Sequence, residues 1–314
     1  MTTPAEPLPE SPSELPTPAR VLAPLLRIPA SRRHFRLPLP ALAKEYGMSA
    51  PLVDELTGLG LPRRETPDGP LFDENDIASL SLHLRLPSAR RAVMAFWLRA
   101  LRRLTAPGAP PVHRVDVTVG CPEPGHDGVC RYEADLGDGG AGGVFETGPE
   151  PQRVLVSLTL QGAGRPRELP PILQELCEEF REVDYYLLPG DAAAEPDLLR
   201  RTGIADCVLM SRALVDAARA RGIEARLSGG LLAAVPFSST HTWAECRVDG
   251  VWLPVDPLLP KALAAWGVPG AELWSPTLAP VGLFHRLGGA PLRPVTHGGT
   301  PCGASLRTRE EAPA

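Results

Sequence analysis

Three residues between Thr202 and Pro257 are of the types and in the order that could make a nucleophile. Cys207 opens a run with apolar residues at helical spacing. His241 begins an alternating run, HTWAECRV, and Asp256 closes the next one, VWLPVD. A thiol, an imidazole and a carboxylate can work as a triad: the sulfur attacks, the imidazole moves the proton, and the carboxylate orients the imidazole. The chemistry would be covalent, nucleophilic catalysis by the thiol.

The elements that must position these groups can be read from the same segment. A Cys in a reduced protein is most often a small buried hydrophobe, and Cys177 and Cys246, inside a predicted helix and a predicted strand, fit that description. Cys207 differs because it follows Gly203 and Asp206 at a predicted helix N-terminus. The unpaired amides and the helix dipole there favour an anion, so a thiolate is stabilised, and the same amides can serve an oxyanion. Val208, Leu214, Ala217 and Ala218 would bury the helix, and Gly222 would end it. His241 and Asp256 flank a hairpin signal, Asp249-Gly250. If Val248 pairs with Val251, Trp243 lies opposite Asp256, and His241 is two residues away on the same face, within reach of a diagonal contact. Trp243 and Glu245 share that face. They are candidate substrate contacts, although a large aromatic in a hairpin, Trp252 included, is more often core.

This segment resembles the transglutaminase-like superfamily, whose pattern is a Cys at a helix start, a His-x-Trp strand and a strand ending in Asp-Pro. The matching residues are Cys207 with its Ala-rich helix, Ala220 to Ile223 with Ala225 and Arg226, His241 to Glu245, and Gly250 to Trp252 through Val255-Asp256-Pro257. The resemblance implies an α+β, papain-like core: an antiparallel sheet and a helix carrying the Cys. It also implies a catalytic Cys207, His241 and Asp256, with attack on an amide or ester carbonyl through a thioester. The acyl group would pass to water, as in a peptidase or amidase, or to an amine, as in a transamidase; hydrolysis is preferred because water needs no second site. Transamidation would suit peptide or natural-product maturation. The rival of another class is a DNA- or partner-binding regulator with a degenerate, non-catalytic core.

A second constellation is Cys121, His126 and Cys130. Two thiols and an imidazole in a tight turn suggest a zinc knuckle, but a structural zinc takes four ligands, and His113 or Cys177 would have to supply the fourth. The sequence therefore predicts no metal and no cofactor, with this cluster as the one candidate.

Upstream, Leu39, Leu42, Ala43 and Tyr46 recur at helical spacing. Ser49 can cap a second helix, a hairpin surrounds Asp68-Gly69, and a third helix starts near Asp73. This is the order of a winged helix-turn-helix, and the runs LAKEYGMS, GLGLP and GPLFDENDIASL resemble the DNA-binding head of the MerR family. The second helix, which would enter the major groove, carries Asp54 and Glu55 and no Arg or Lys, whereas base edges and phosphates call for donors and cations. Arg63 and Arg64, with Arg32, Arg33 and Arg36, could touch phosphate. On balance the head is expected to bind a peptide or partner protein, or to pack on the core, rather than to bind DNA. Residues 88–104 form a basic amphipathic helix, read as a linker rather than a membrane helix.

Composition agrees. With 43% hydrophobic residues the chain is globular, while 38 Pro and 30 Gly point to irregular flanks and joints. A net charge of −5 argues against a mainly nucleic-acid-binding chain. No apolar run reaches the roughly 20 residues of a membrane span. The first residues lack a basic segment followed by an apolar one, so a reduced, cytoplasmic setting with free thiols is expected. The expected organisation is a disordered tail over 1–30, a winged-helix-like domain with its linker helix over 31–104, a β-rich unit and catalytic domain over 112–298, and a loose tail over 299–314. The expected substrate is a peptide or small amide.

Overall fold

The computed structural model describes residues 16–123, 126–136, 142–148, 153–160, 164–189, 192, 195–290, 292 and 294–311. The first element, α1 (Pro18–Leu25), corrects the expected tail over 1–30 from residue 16 onward; residues 1–15 lie outside the described residues. This helix is short and contains Pro24, so local propensity does not explain it. Tertiary contacts do. Val21, Leu22 and Leu25 are buried. Arg33, itself buried, donates to the carbonyls of Leu25 and Ile28 at 2.7 Å each and pairs with Asp76 at 2.6 Å. Arg33 is thus a structural cation rather than a phosphate contact. Burial raises Asp76 to about 6 despite Arg33 beside it.

The head follows: β1 (Phe35–Pro38), α2 (Leu39–Tyr46), α3 (Ala50–Gly58), β2 (Arg63–Arg64), β3 (Leu71–Asp73) and α4 (Glu74–His83). The strands form one sheet in the order β1-β3-β2, so the predicted order of helix, turn, helix, hairpin, helix is found. Asp73 caps α4 by accepting from the amides of Asn75 and Asp76. On α3, Val53 and Leu56 face inward and Asp54 and Glu55 face solvent.

The basic helix α5 (Ala89–Thr105), capped by Ser88, buries Met94, Leu98, Leu101 and Leu104. Arg91 fixes it to the C-terminal half by donating to the carbonyls of Trp266, at 3.1 Å, and Gly267, at 2.7 Å. Residues of α1, α4 and α5 belong to the same continuous apolar core as the helix that begins at Cys207.

The β-rich unit comprises β4 (Val112–Val119), β5 (Cys130–Ala134), β6 (Gly143–Thr147) and β7 (Arg153–Leu160). Next come β8 (Arg167–Glu168), α6 (Pro171–Glu178), β9 (Asp184–Tyr185), α7 (Pro196–Thr202), β10 (Ile204–Ala205) and α8 (Cys207–Ala220). The central antiparallel sheet is built from β11 (Glu224–Leu232), β12 (Ser239–Val248), β13 (Val251–Val255) and, after α9 (Leu258–Ala265) and β14 (Leu278–Ala279), β15 (Phe284–Gly288), in the order β13-β12-β11-β15. One face packs on α8 through Leu232 and Ala234, and the other meets the β-rich unit through Leu231 and Ala233.

Phe284 and His285 sit in β15, paired with Leu232 and Leu231. One expectation at the C-terminal end is overturned. The loose tail expected over 299–314 contains strands instead. After β16 (Val295–His297) come β17 (Thr300–Pro301) and β18 (Ala304–Glu311), and β18 pairs with β4 along its whole length. Burial alternates along β18, with Leu306 and Thr308 inside and Arg307 and Arg309 outside, and its other edge is met by the 236–238 segment, where the Ser238 amide donates to the Leu306 carbonyl at 2.9 Å and the Thr308 amide to the Pro236 carbonyl at 2.7 Å.

Candidate active site

The thiol is placed by three short elements. Strand β10 pairs in parallel with β9, so that Ala205 stands beside Tyr185. Asp206 then caps α8 by accepting from the Leu209 amide at 2.8 Å, and Cys207 is the first helical residue. Asp206 also takes the Met210 amide through its backbone carbonyl, and the Val208 amide is a further partner of its side chain. Among the described residues, the Cys207 amide is the first-turn donor left without a partner. Burial raises Asp206 to about 6, against the pull of those amides. The hydroxyl of Ser211 lies 2.6 Å from the Cys207 carbonyl and 3.2 Å from that of Thr242, so it ties the start of α8 to the strand that carries His241.

The imidazole and the carboxylate are placed by the hairpin. Val248 pairs with Val251 and Ala244 with Val255. The turn between them has positive φ at both Asp249 and Gly250, the backbone that an Asp-Gly pair accepts. Continuing this register puts Asp256 beside Trp243, with His241 on the same face. His241 Nε2 is 2.6 Å from Asp256 Oδ2. The other oxygen of Asp256 accepts from the amides of Leu258, at 3.2 Å, and Leu259, at 3.0 Å, so the carboxylate also fixes the start of α9. With Nε2 committed, Nδ1 is the nitrogen left for the thiol. Burial alone would lower His241. The hydrogen bonds to Asp256 and Cys207, and the charge of each, outweigh it and raise the imidazole from 6.5 to about 10. Such a group holds a proton readily once the thiol has released one.

Tyr185 joins this group, although nothing in the sequence singled it out. Its hydroxyl is hydrogen-bonded to the Cys207 side chain. Burial, followed by the nearby charges of Cys207, Asp206 and Asp256, raises it well above the ordinary phenol value. It therefore remains a neutral donor at any working pH. The available signal was indirect: Tyr185 lies on the strand paired with the one that delivers Cys207.

Cys207, His241 and Tyr185 open onto a cavity of about 500 Å³. Its far wall comes from the head and its linker helix: Leu82 on α4, and Arg90, Val93, Met94 and Trp97 on α5. Ser239 and Thr240 line the strand side, and Trp266 and Leu259 close the floor. Sequence reading missed this wall because it is made by packing between distant segments.

Trp243 and Glu245 do not line the cavity, which corrects their assignment as substrate contacts. Trp243 is fully buried and lies against His241 and Phe284. Glu245 accepts from Arg226 at 2.6 Å and Ser228 at 2.9 Å, near the other end of the strand. Trp252 stacks under Arg226.

Cys121, His126 and Cys130 do come together. Neither residue expected to complete them does so. His113 faces His285 across 6.4 Å, and Cys177 is buried in α6. His297, from β16, is the fourth member of the cluster.

Residues 167–257 match the family model of the transglutaminase-like superfamily. Cys207, His241 and Asp256 all lie within the match; the N-terminal head lies outside it. No curated protein and no solved structure matches the chain. Among the described residues no helix is long and apolar enough to cross a membrane.

Proposed function

We propose that this chain is a cysteine-dependent acyl-transfer enzyme that acts on an amide or ester bond through Cys207, His241 and Asp256. The observation that carries the reading is the buried 2.6 Å contact between His241 and Asp256, made beside a thiol at the N-terminus of α8. That arrangement has the three roles of a nucleophilic triad, and it lies inside the transglutaminase-like match.

In this reading His241 takes the thiol proton through Nδ1, and the sulfur attacks the substrate carbonyl. The oxyanion is met by the Cys207 amide and by the Tyr185 hydroxyl, which turns from the sulfur to the oxygen as the sulfur's charge passes to the substrate. His241 returns its proton to the leaving amine or alcohol, and a thioester remains on Cys207. Asp256 keeps the imidazole in its orientation throughout. The thioester is resolved by water, which requires no second binding site, so hydrolysis is the preferred outcome. An amine entering the same cavity would give transamidation by the same residues.

The cavity favours a substrate with an apolar body, held between Met94, Trp97, Trp266 and Leu259, with a carbonyl directed to Cys207. Arg90 adds a cation at the wall. In this reading the winged-helix-like head serves as part of the substrate site rather than as a DNA reader. Its wall residues face the cavity, and the exposed residues of α3 that a groove would meet include Asp54 and Glu55.

The test is turnover of a panel of peptide amides and aryl esters by the wild-type chain and by Cys207→Ala. Loss of turnover with an acyl adduct on Cys207, seen by intact-mass spectrometry of the wild type, is the expected result. Equal turnover by both proteins would end the proposal. Adding a primary amine to the wild-type reaction and weighing the products separates hydrolysis from transamidation.

A further inference from the structure

We infer that Cys121, His126, Cys130 and His297 form a structural zinc site, separate from the thiol chemistry of Cys207. One ligand atom from each of the four lies within 4.8 Å of those of the other three. Tetrahedral zinc, with bonds of about 2.0–2.3 Å, holds its ligand atoms roughly 3.3–3.8 Å apart, so a small contraction brings the set to coordination distance. The contact from His126 Nε2 to Cys130 Sγ is already 3.2 Å.

Two further observations mark these side chains as ligands rather than chance neighbours. His126 Nδ1 is 3.1 Å from the Asp127 carbonyl. An N–H donated there fixes the tautomer and leaves Nε2 with its lone pair toward the cluster, the outer-shell arrangement of a metal-bound imidazole. His297 Nε2 is cut off from solvent and has no hydrogen-bond partner among the described residues. A buried imidazole nitrogen left without a partner is costly, and a metal bond would satisfy one. Cys130 is buried and the other three are half-buried, so the set is a pocket between strands and not a scatter of surface groups.

The donor set selects the ion. Two thiolates with two imidazoles suit zinc, whereas magnesium and calcium take oxygen ligands. Four protein ligands fill the tetrahedron, so no position stays open for a reacting water and the role is structural. Binding would convert two thiols to thiolates and release two protons to solvent. The ion would join the segment after β4, which carries Cys121 and His126, to the first residue of β5 and the end of β16. The ion would thereby add a link to the strand pairing that already holds β16 against β5.

The experiment is metal analysis of the full chain, purified without chelator and dialysed against nanomolar free zinc. About one zinc per chain is expected. Cys121→Ser and His297→Ala should lose it, while Cys207→Ala should keep it. Replacement by cobalt should give the visible absorption of a tetrahedral thiolate site at about 600–700 nm. Zinc-free wild type, equal zinc in the two ligand variants, or zinc lost with Cys207→Ala would each overturn the site. So would a Cys121–Cys130 disulfide in metal-free protein kept under reductant. If the ligand variants are insoluble, the cobalt spectrum of the wild type decides, and an octahedral spectrum or no binding counts against the proposal.

Discussion

Trp97 of the linker helix and His241 of the central sheet line the same cavity. A residue that sequence places outside the Thr202–Pro257 segment thus shares a cavity with the proposed general base. Replacing Trp97 with Ala should remove apolar contact with bound substrate and leave the thiol chemistry alone. KM is expected to rise about tenfold, equivalent to about 1.4 kcal/mol, with kcat changed far less. Steady-state kinetics on the best substrate decide it. A fall in kcat at unchanged KM would mean that Trp97 acts on the chemistry or the fold instead.

The contact between His241 and Asp256 sets the pH dependence. His241 is raised from 6.5 to about 10 by Asp256 and Cys207 against the effect of burial. A raised imidazole adds stability that is complete below about 6.5 and is lost as pH rises through about 10. The basic limb of kcat/KM should therefore lie near pH 10, where the imidazolium needed by the leaving group disappears. Asp256→Asn removes the charge, so the limb should move down toward the ordinary histidine range. The rate should drop by about 10³ or more, as when an orienting carboxylate is lost elsewhere. The difference in melting temperature between wild type and Asp256→Asn should be larger at pH 6 than at pH 10.5. A limb that does not move would remove Asp256 from the proposed mechanism.

Thiol reactivity provides an independent check. Burial, the main cause in each case, raises Cys177 to about 12 and Cys246 to about 11. These two should resist alkylation in the native state, since the thiolate is the reactive form. Cys207 is half-buried and faces the cavity. A short iodoacetamide pulse on zinc-loaded protein should place the first adduct on Cys207, and His241→Ala should slow that adduct by at least about tenfold. Peptide mapping that finds Cys177 or Cys246 modified first would contradict the packing described above.

The parts of the site that could be read from sequence are the local ones. The Asp249-Gly250 turn fixes the hairpin register, and the register alone brings His241 to Asp256. Cys207 was distinguished from the other thiols by a cap residue and a helix start. What could not be read depends on segments far apart in sequence. Helix α1 exists because Arg33 and buried Leu22 hold it, not because its own sequence, with Pro24 inside, favours a helix. Strand β18 reads as charged tail, because its outward-facing positions are charged, and only pairing with β4 reveals it. His297 could not be chosen as the fourth member of the Cys121 cluster, since strand pairing between β16 and β5 is what brings it there. The head behaves likewise. It shares one apolar core with the C-terminal half, so removing residues 1–104 would expose that core as well as open the cavity, and point substitutions in α5 are the cleaner probe.

Glu245 should matter for stability and not for substrate. Its carboxylate holds Arg226 and Ser228 and lies near Arg286, at 3.7 Å. Glu245→Gln is expected to cost about 1–2 kcal/mol, because buried Ser228 and the partly exposed Arg226 lose their charged acceptor. KM should stay within about twofold of wild type. Chemical denaturation together with steady-state kinetics measures both, and a large KM change at unaltered stability would restore Glu245 as a substrate contact.

Gly230 is where the central sheet has no room for a side chain. The register of β11 against β15 shifts between Gly229 and Gly230. A Cβ on Gly230 would lie 2.0 Å from the His285 carbonyl oxygen and 2.8 Å from the Trp243 ring. The carbonyl belongs to backbone and cannot turn away, so Ala must push β15 off or displace Trp243. Overpacking of this kind costs about 1–3 kcal/mol and more where backbone must move. Trp243 lies against His241, with ring planes 18° apart, so the disturbance should reach the imidazole as well. Gly230→Ala is expected to lower the melting temperature and also kcat in the fraction that stays folded. Gly288→Ala, on the neighbouring strand with open space at its Cβ, should change stability by no more than about 0.5 kcal/mol. Equal effects from the two substitutions would show that the close approach of β11 and β15 is not what holds the site.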